Sequence, residues 1–180
     1  MLVKMKRKDF DLLTSADLSK GCFEPLINIY KSRITEKTTF SNSQIQEHFY
    51  EQLTEGQRAL FMFYAYYIHV SKSINEFYWW SAYFMAQPKS WSALKVGINY
   101  FQDESMLLLL EKVELELKRH NHPVTIEGFT VRREELELNK ELYASIKSLH
   151  DMFYKTSSLT ISNINKYIEN NHLEFVEIDY

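Results

Sequence analysis

Apolar positions recur along this chain at spacings of three and four, and helix-start signals separate the stripes. Phe23, Ile27, Tyr30 and Ile34 share one helical face. Glu24-Pro25 predicts the start of that helix, since proline is tolerated where its missing N–H has no helical partner. Ser41 to Gln44 has the form of a capping box, with Ile45, Phe49 and Leu53 as the stripe behind it. Thr54 to Gln57 is a second box. It opens a helix to about Val70 that is apolar nearly all round, and such a helix belongs at the centre of a bundle. Ser73 to Glu76 is a third, opening a helix to about Ala86. Pro88 restarts the chain, and Trp91, Leu94, Ile98 and Phe101 line the next helix. Asp103 predicts a cap for a helix to about His120, lined by Met106, Leu110, Val113 and Leu117, with Glu114 and Lys118 as an i, i+4 pair.

Beyond Pro123 the pattern changes. Val124 to Val131 has β-branched residues around a Glu-Gly turn, which allows a small hairpin. Leu138, Leu142, Ile146, Leu149 and Phe153 then give the most regular helical stripe of the chain, and a last short helix is expected over Thr160–Asn171, with Ile161, Ile164 and Ile168 inward. Residues 172–180 read as an extended tail able to pair with the hairpin. Residues 1–8 read as a loose basic lead.

The expected fold is therefore all-α: a single helical domain over 1–180, a bundle of about seven helices around the Ala59–Val70 helix. Composition supports this. Four glycines and three prolines in 180 residues are too few for the turns of a sandwich or barrel. The length suffices to bury a core without disulfides or metal. The one cysteine, Cys22, cannot form an internal disulfide and suits a reducing, cytoplasmic setting. The longest apolar run, Ala59 to Val70, is short of the ~20 residues of a membrane span, so no membrane partner is expected. Frequent Lys, Asn and Ile suit an AT-rich bacterial genome.

A net charge of −3 does not call for nucleic acid. Lys4, Lys6, Arg7 and Lys8 read as a solubilising lead rather than a phosphate contact. The second half is the more acidic: Glu111, Glu114, Glu116, Glu134, Glu135, Glu137 and Glu141, then Glu169, Glu174, Glu177 and Asp179, read as solvated helix faces or as a patch for a basic partner. Walker, GxGxxG and GxSxG loops are absent from the sequence.

All three tryptophans, and a dense share of the tyrosines and phenylalanines, fall between Leu60 and Phe101. Most of these rings have an ordinary place in a helical core. Tyr78, Trp79, Trp80 and Tyr83 are the excess, because successive helical positions diverge by ~100° and the four cannot share one buried face. Trp and Tyr are enriched among binding hot spots, so these four are the candidate binding residues. His120 and His122 form an H-x-H pair that reads as loop histidines at a helix end, without the further ligand a metal needs. His69, with Glu76 as orienter, and Cys22 are weighed as catalytic groups and set aside. No catalytic residue, metal or cofactor is expected.

Leu53-Thr54, Gln57-Arg58-Ala59-Leu60-Phe61, Val70, Phe77 with Trp80, Ala93-Leu94, Gly97 and Leu107 to Leu110 together resemble a bacterial helical family of unknown function that includes a DNA-mimic protein. The resemblance covers residues 53–115. The family's acidic residue before the valine and its Asn-Gly-Gly turn are replaced here by His69 and Ser73-Ile74. The resemblance implies an all-helical protein that acts by binding another protein. The expected function is a cytosolic, non-enzymatic protein–protein interaction module (a regulator, inhibitor or immunity-type protein) that binds another protein or itself. The alternative is a small-ligand binder or enzyme with a pocket near His69 walled by Tyr64, Tyr67, Trp79 and Trp80.

Overall fold

In a computed structural model, which describes residues 3–36 and 41–179, the protein is all-α apart from one small parallel sheet. The elements run β1 (Val3–Lys6), α1 (Arg7–Asp11), α2 (Leu18–Thr35), α3 (Asn42–Glu51), α4 (Glu55–Val70), α5 (Ile74–Met85), α6 (Pro88–Tyr100), α7 (Glu104–Arg119), α8 (Glu135–Leu138), α9 (Lys140–Asn171) and β2 (Val176–Asp179). The chain divides into two compact units, one of Met1–Phe61 with Ile161–Tyr180 and one of Met62–Thr160. Helices α4 and α9 contribute residues to both. Among the described residues no helix is long and apolar enough to cross a membrane.

In the first unit the start signals largely act as read. Ser41 and Gln44 make the full capping box of α3. Thr54 and Gln57 do the same for α4, and the buried Gln57 also donates to the Phe175 carbonyl at 2.8 Å. Phe23, Tyr30, Phe49 and Phe61 form an aromatic cluster with centroids 5.2–6.0 Å apart. Helix α2 departs from expectation. It begins at Leu18, so Pro25 lies inside it rather than at its start. Proline there removes the bond that residue 25 would have made to the Gly21 carbonyl. The buried stripe is accordingly Leu18, Cys22, Phe23 and Leu26, with Ile27, Tyr30 and Ile34 only half-buried.

The basic lead is not loose. Met1 and Leu2 lie outside the described residues, but Val3–Lys6 is a strand paired in parallel with Val176–Asp179, in the register Val3↔Val176 to Lys6↔Asp179. The two sequences are complementary. Val3 and Val176 turn inward, while Lys4 faces Glu177 at 3.6 Å on the exposed side. The tail is extended only over Val176–Asp179; His172–Glu174 is instead a 3-10 turn that continues from α9, and Tyr180 lies outside the described residues. The partner of the strand is the lead. No hairpin forms over 124–131. A one-turn 3-10 helix, Ile126–Gly128, sits there within an irregular segment.

In the second unit, α6 starts on Pro88, and Asp103 caps α7 by accepting from the Met106 N–H at 2.9 Å. The two helices expected after residue 138 are one continuous helix, α9, because no glycine or proline interrupts residues 140–171. Ser157 and Thr160 bond back to the carbonyls of Tyr154 and Thr156 instead of ending it. Leu138 is not part of that stripe. It ends the separate turn α8 and is 84% exposed, while Leu136 takes the buried position.

Candidate functional site

The candidate residues belong to α5, in the second unit. Ser73 caps this helix by accepting from the Glu76 N–H at 3.2 Å. The expected capping box is only half made. The Glu76 carboxylate turns away to take Arg133 at 2.6 and 3.1 Å and the Trp80 Nε1–H at 2.8 Å. A tertiary bidentate pair with a guanidinium is stronger than a bond to one backbone N–H. The Arg133 hydrogen bond accordingly holds the Glu76 carboxyl below the usual carboxylate range.

The inner face of α5 carries Phe77, Tyr78, Ser81 and Phe84. Phe77 is fully buried, 5.4 Å from the rings of both Phe153 and His150. Ser81 shares a 2.7 Å hydrogen bond with the buried Tyr66 hydroxyl. Tyr78 is one of the four candidates, yet it is 1% exposed and its hydroxyl lies 2.7 Å from His122 Nε2.

The outer face brings the other three candidates together. Trp79 stacks on Tyr83, with centroids 5.1 Å apart and planes 9° from parallel. Its Nε1–H donates to the Val131 carbonyl at 3.0 Å, and the Arg133 guanidinium lies 4.2 Å from its ring centre. Phe129 meets both rings edge-on. Trp80 packs edge-on to Trp79 and Tyr83, and its other side stacks on His69 at 3.7 Å. All three side chains remain half-buried. Sequence reasoning missed Phe129 and Val131, which come from the segment read as a hairpin, and Arg133, two residues beyond it. The available signal was chemical: a partly buried Trp N–H needs an acceptor, and Trp79, unlike Trp80 with Glu76 one turn before it, has no carboxylate at that position of its own helix.

His69 does not form a catalytic pair. Burial, then Lys72, pushes its pKa down against the opposing charge of Glu76. The Glu76 oxygens are engaged by Arg133 and Trp80, so Glu76 does not orient the imidazole. The pocket walls expected near His69 separate into two groups: Tyr64 and Tyr67 pack with Phe63, and Trp79 and Trp80 with Tyr83. Cys22 is fully buried in the first unit, and burial pushes its thiol up to about 12, which leaves no thiolate to react.

The H-x-H pair is split by the turn that ends α7. Asn121 adopts the left-handed conformation (φ 57°), while the His122 and Asn121 N–H groups bond the carbonyls of Leu117 and Lys118. This is a Schellman ending, in which asparagine substitutes for the usual glycine. It sends His120 back to Glu116, 3.1 Å away, and His122 toward Tyr78. His122 Nδ1 faces the Leu117 carbonyl at 3.0 Å and must donate to it, so in the neutral ring Nε2 accepts from the tyrosine. Burial lowers the His122 pKa and favours that neutral ring. Among the described residues no group of three His, Cys, Asp or Glu side chains is placed to hold a metal.

Part of the acidic second half is neutralised locally. Glu114 binds Lys95 and Lys118 at 2.7 and 2.6 Å and accepts from Trp91 Nε1 at 2.7 Å. Burial alone would raise its pKa, but these hydrogen bonds together outweigh burial and hold the carboxyl at about 2. Glu116 and Glu141 share Arg119.

Comparison of the chain with known protein families, with curated proteins and with solved structures finds no match.

Proposed function

We propose that this chain is a cytosolic, non-enzymatic protein-interaction module, of the regulator, inhibitor or immunity type, and that it engages another protein through the outer face of α5. Trp79, Trp80 and Tyr83 form the centre of that surface, with Phe129 and Arg133 beside them. The observation that carries this reading is the condition of the two outer tryptophans. Each indole N–H is already bonded inside the molecule, to Val131 or Glu76, while each ring stays half-buried. A partner covering these rings strands no donor and freezes little motion, since stacking has already fixed the side chains. Trp, Tyr and Arg are the residue types enriched where binding energy concentrates. The resemblance over residues 53–115 points to the same mode of action. Tyr78 supports the surface from inside and does not belong to it.

The test is affinity capture from the native host with the wild-type chain, Trp79→Ala and Trp80→Ala. The reading predicts a specific partner, or a second copy of the chain, that both variants lose. It fails if nothing is captured and the chain stays monomeric, or if both variants retain the partner equally.

A further inference from the structure

The irregular segment between α7 and α9 has a second side. Its Val131 carbonyl holds Trp79, but its side chains wall an open cleft of about 380 Å³. That size is within the usual range for small-molecule sites.

The floor is the pair Tyr78 and His122. The Leu117 carbonyl fixes the imidazole so that Nε2 accepts, and the tyrosine O–H is therefore the donor. The phenolic oxygen keeps its lone pairs for a ligand donor. Pro123, Val131 and Leu142 supply apolar wall, and Leu138 stands at the rim, 84% exposed. An exposed leucine at a cleft mouth is apolar surface that a ligand body can cover. The remaining rim residue with a formal charge is Glu135, whose carboxylate has no hydrogen bond or ion pair among the described residues. His120 also borders the cleft, but its ring is turned to Glu116. The cleft thus offers one unpaired negative charge beside an apolar wall, with the side chains of Asn121, Thr130 and Asn139, which can donate or accept, completing its lining. An anion would face Glu135 unscreened by any lysine or arginine of the lining.

We propose that this cleft binds a small organic monocation, an amine carried on an apolar body, with the ammonium at Glu135 and the Tyr78 oxygen and the body against Leu138, Leu142 and Val131. The site is distinct from the outer face of α5. Because residue 131 serves both, occupancy is read at Trp79.

The experiment is a titration followed by the His122 ring and Trp79 indole N–H resonances, with three probes of one shape: benzylamine, benzyl alcohol and benzoate. The expected result is a saturable shift of both resonances with benzylamine, weaker binding of benzyl alcohol, and none of benzoate. Glu135 and Leu138 are exposed, so Glu135→Gln and Leu138→Ser leave the fold intact. Glu135→Gln should weaken benzylamine by about 1.4- to fivefold, the range for one solvent-exposed charge pair, and leave benzyl alcohol unchanged. Leu138→Ser should weaken both. The proposal is overturned if benzylamine gives no saturable shift, if Glu135→Gln binds it as wild type does, or if benzoate binds as well as the amine.

Discussion

The two faces of α5 are equally aromatic and are built differently. Phe77 and Tyr78 on the inner face are buried and close-packed against α9 and the end of α7, so their rings belong to the fold. Trp79, Trp80 and Tyr83 on the outer face are half-buried and stacked upon one another, and their polar contacts reach one irregular segment and one carboxylate. The contrast teaches that aromatic density in a sequence does not mark a site. The outer face differs in staying partly open after both of its indole N–H groups have been satisfied.

The largest effect should come from the inner face. Phe77→Ala removes a fully buried ring and should cost about 3–5 kcal/mol in urea unfolding, the usual range for such a deletion. Trp79→Ala should cost less, about 2 kcal/mol, because its ring was never fully buried. Its effect should also be local. Amide exchange should quicken over residues 126–133, which lose the indole bond and the Arg133 stack, while the amides of α9 stay protected. Equal losses from the two substitutions, or protection lost everywhere in the second unit, would erase the distinction between the faces.

Two Trp–Glu pairs carry the comparison into pH. Trp80 donates to Glu76 on the outer face, and Trp91 to Glu114 on the buried side of α6 and α7. The folded-state pKa of Glu114, about 2, lies below its ordinary value of 4.5. Its stabilisation is therefore complete above about pH 4.5 and is lost as pH falls toward 2. Unfolding free energy should drop across that window, and Glu114→Gln should flatten part of the drop. An unchanged slope would show that the Lys95 and Lys118 pairs do not persist in solution.

The smallest effect concerns two helix ends. Gln102, after α6, adopts φ 56°, and Asn121, after α7, adopts φ 57°. Asparagine tolerates this region better than glutamine does. Gln102→Gly should therefore stabilise by about 1 kcal/mol and Asn121→Gly by less, measured as shifts in Tm. The reverse order would contradict the left-handed geometry of these ends.

What was legible in the sequence was local. Ser41, Thr54 and Asp103 start helices because a cap needs only a side chain and the next turn of its own chain. The stripe Trp91, Leu94, Ile98 and Phe101 is buried because spacing alone fixes a helical face. What could not be read depends on distant partners. Val3–Lys6 is a strand only because Val176–Asp179 lies beside it. Glu76 abandons its capping role only because Arg133 arrives from 57 positions away. Pro25 sits inside α2 rather than at its boundary, and Ser157 and Thr160 bond back onto α9 rather than ending it. The candidate site was half-legible. Trp79, Trp80 and Tyr83 follow from the angular excess of rings, whereas Phe129 and Arg133 carry no periodic signal.

The most direct test of the outer-face account compares binding with stability. With the partner captured from the native host, affinities should be measured for wild type, Trp80→Ala and Phe77→Leu at a temperature where all three are folded. The account predicts that Trp80→Ala weakens binding at least about tenfold, or ~1.4 kcal/mol, while Phe77→Leu, although less stable, binds within about twofold of wild type. Wild-type affinity in Trp80→Ala, or a greater loss in Phe77→Leu, would contradict it.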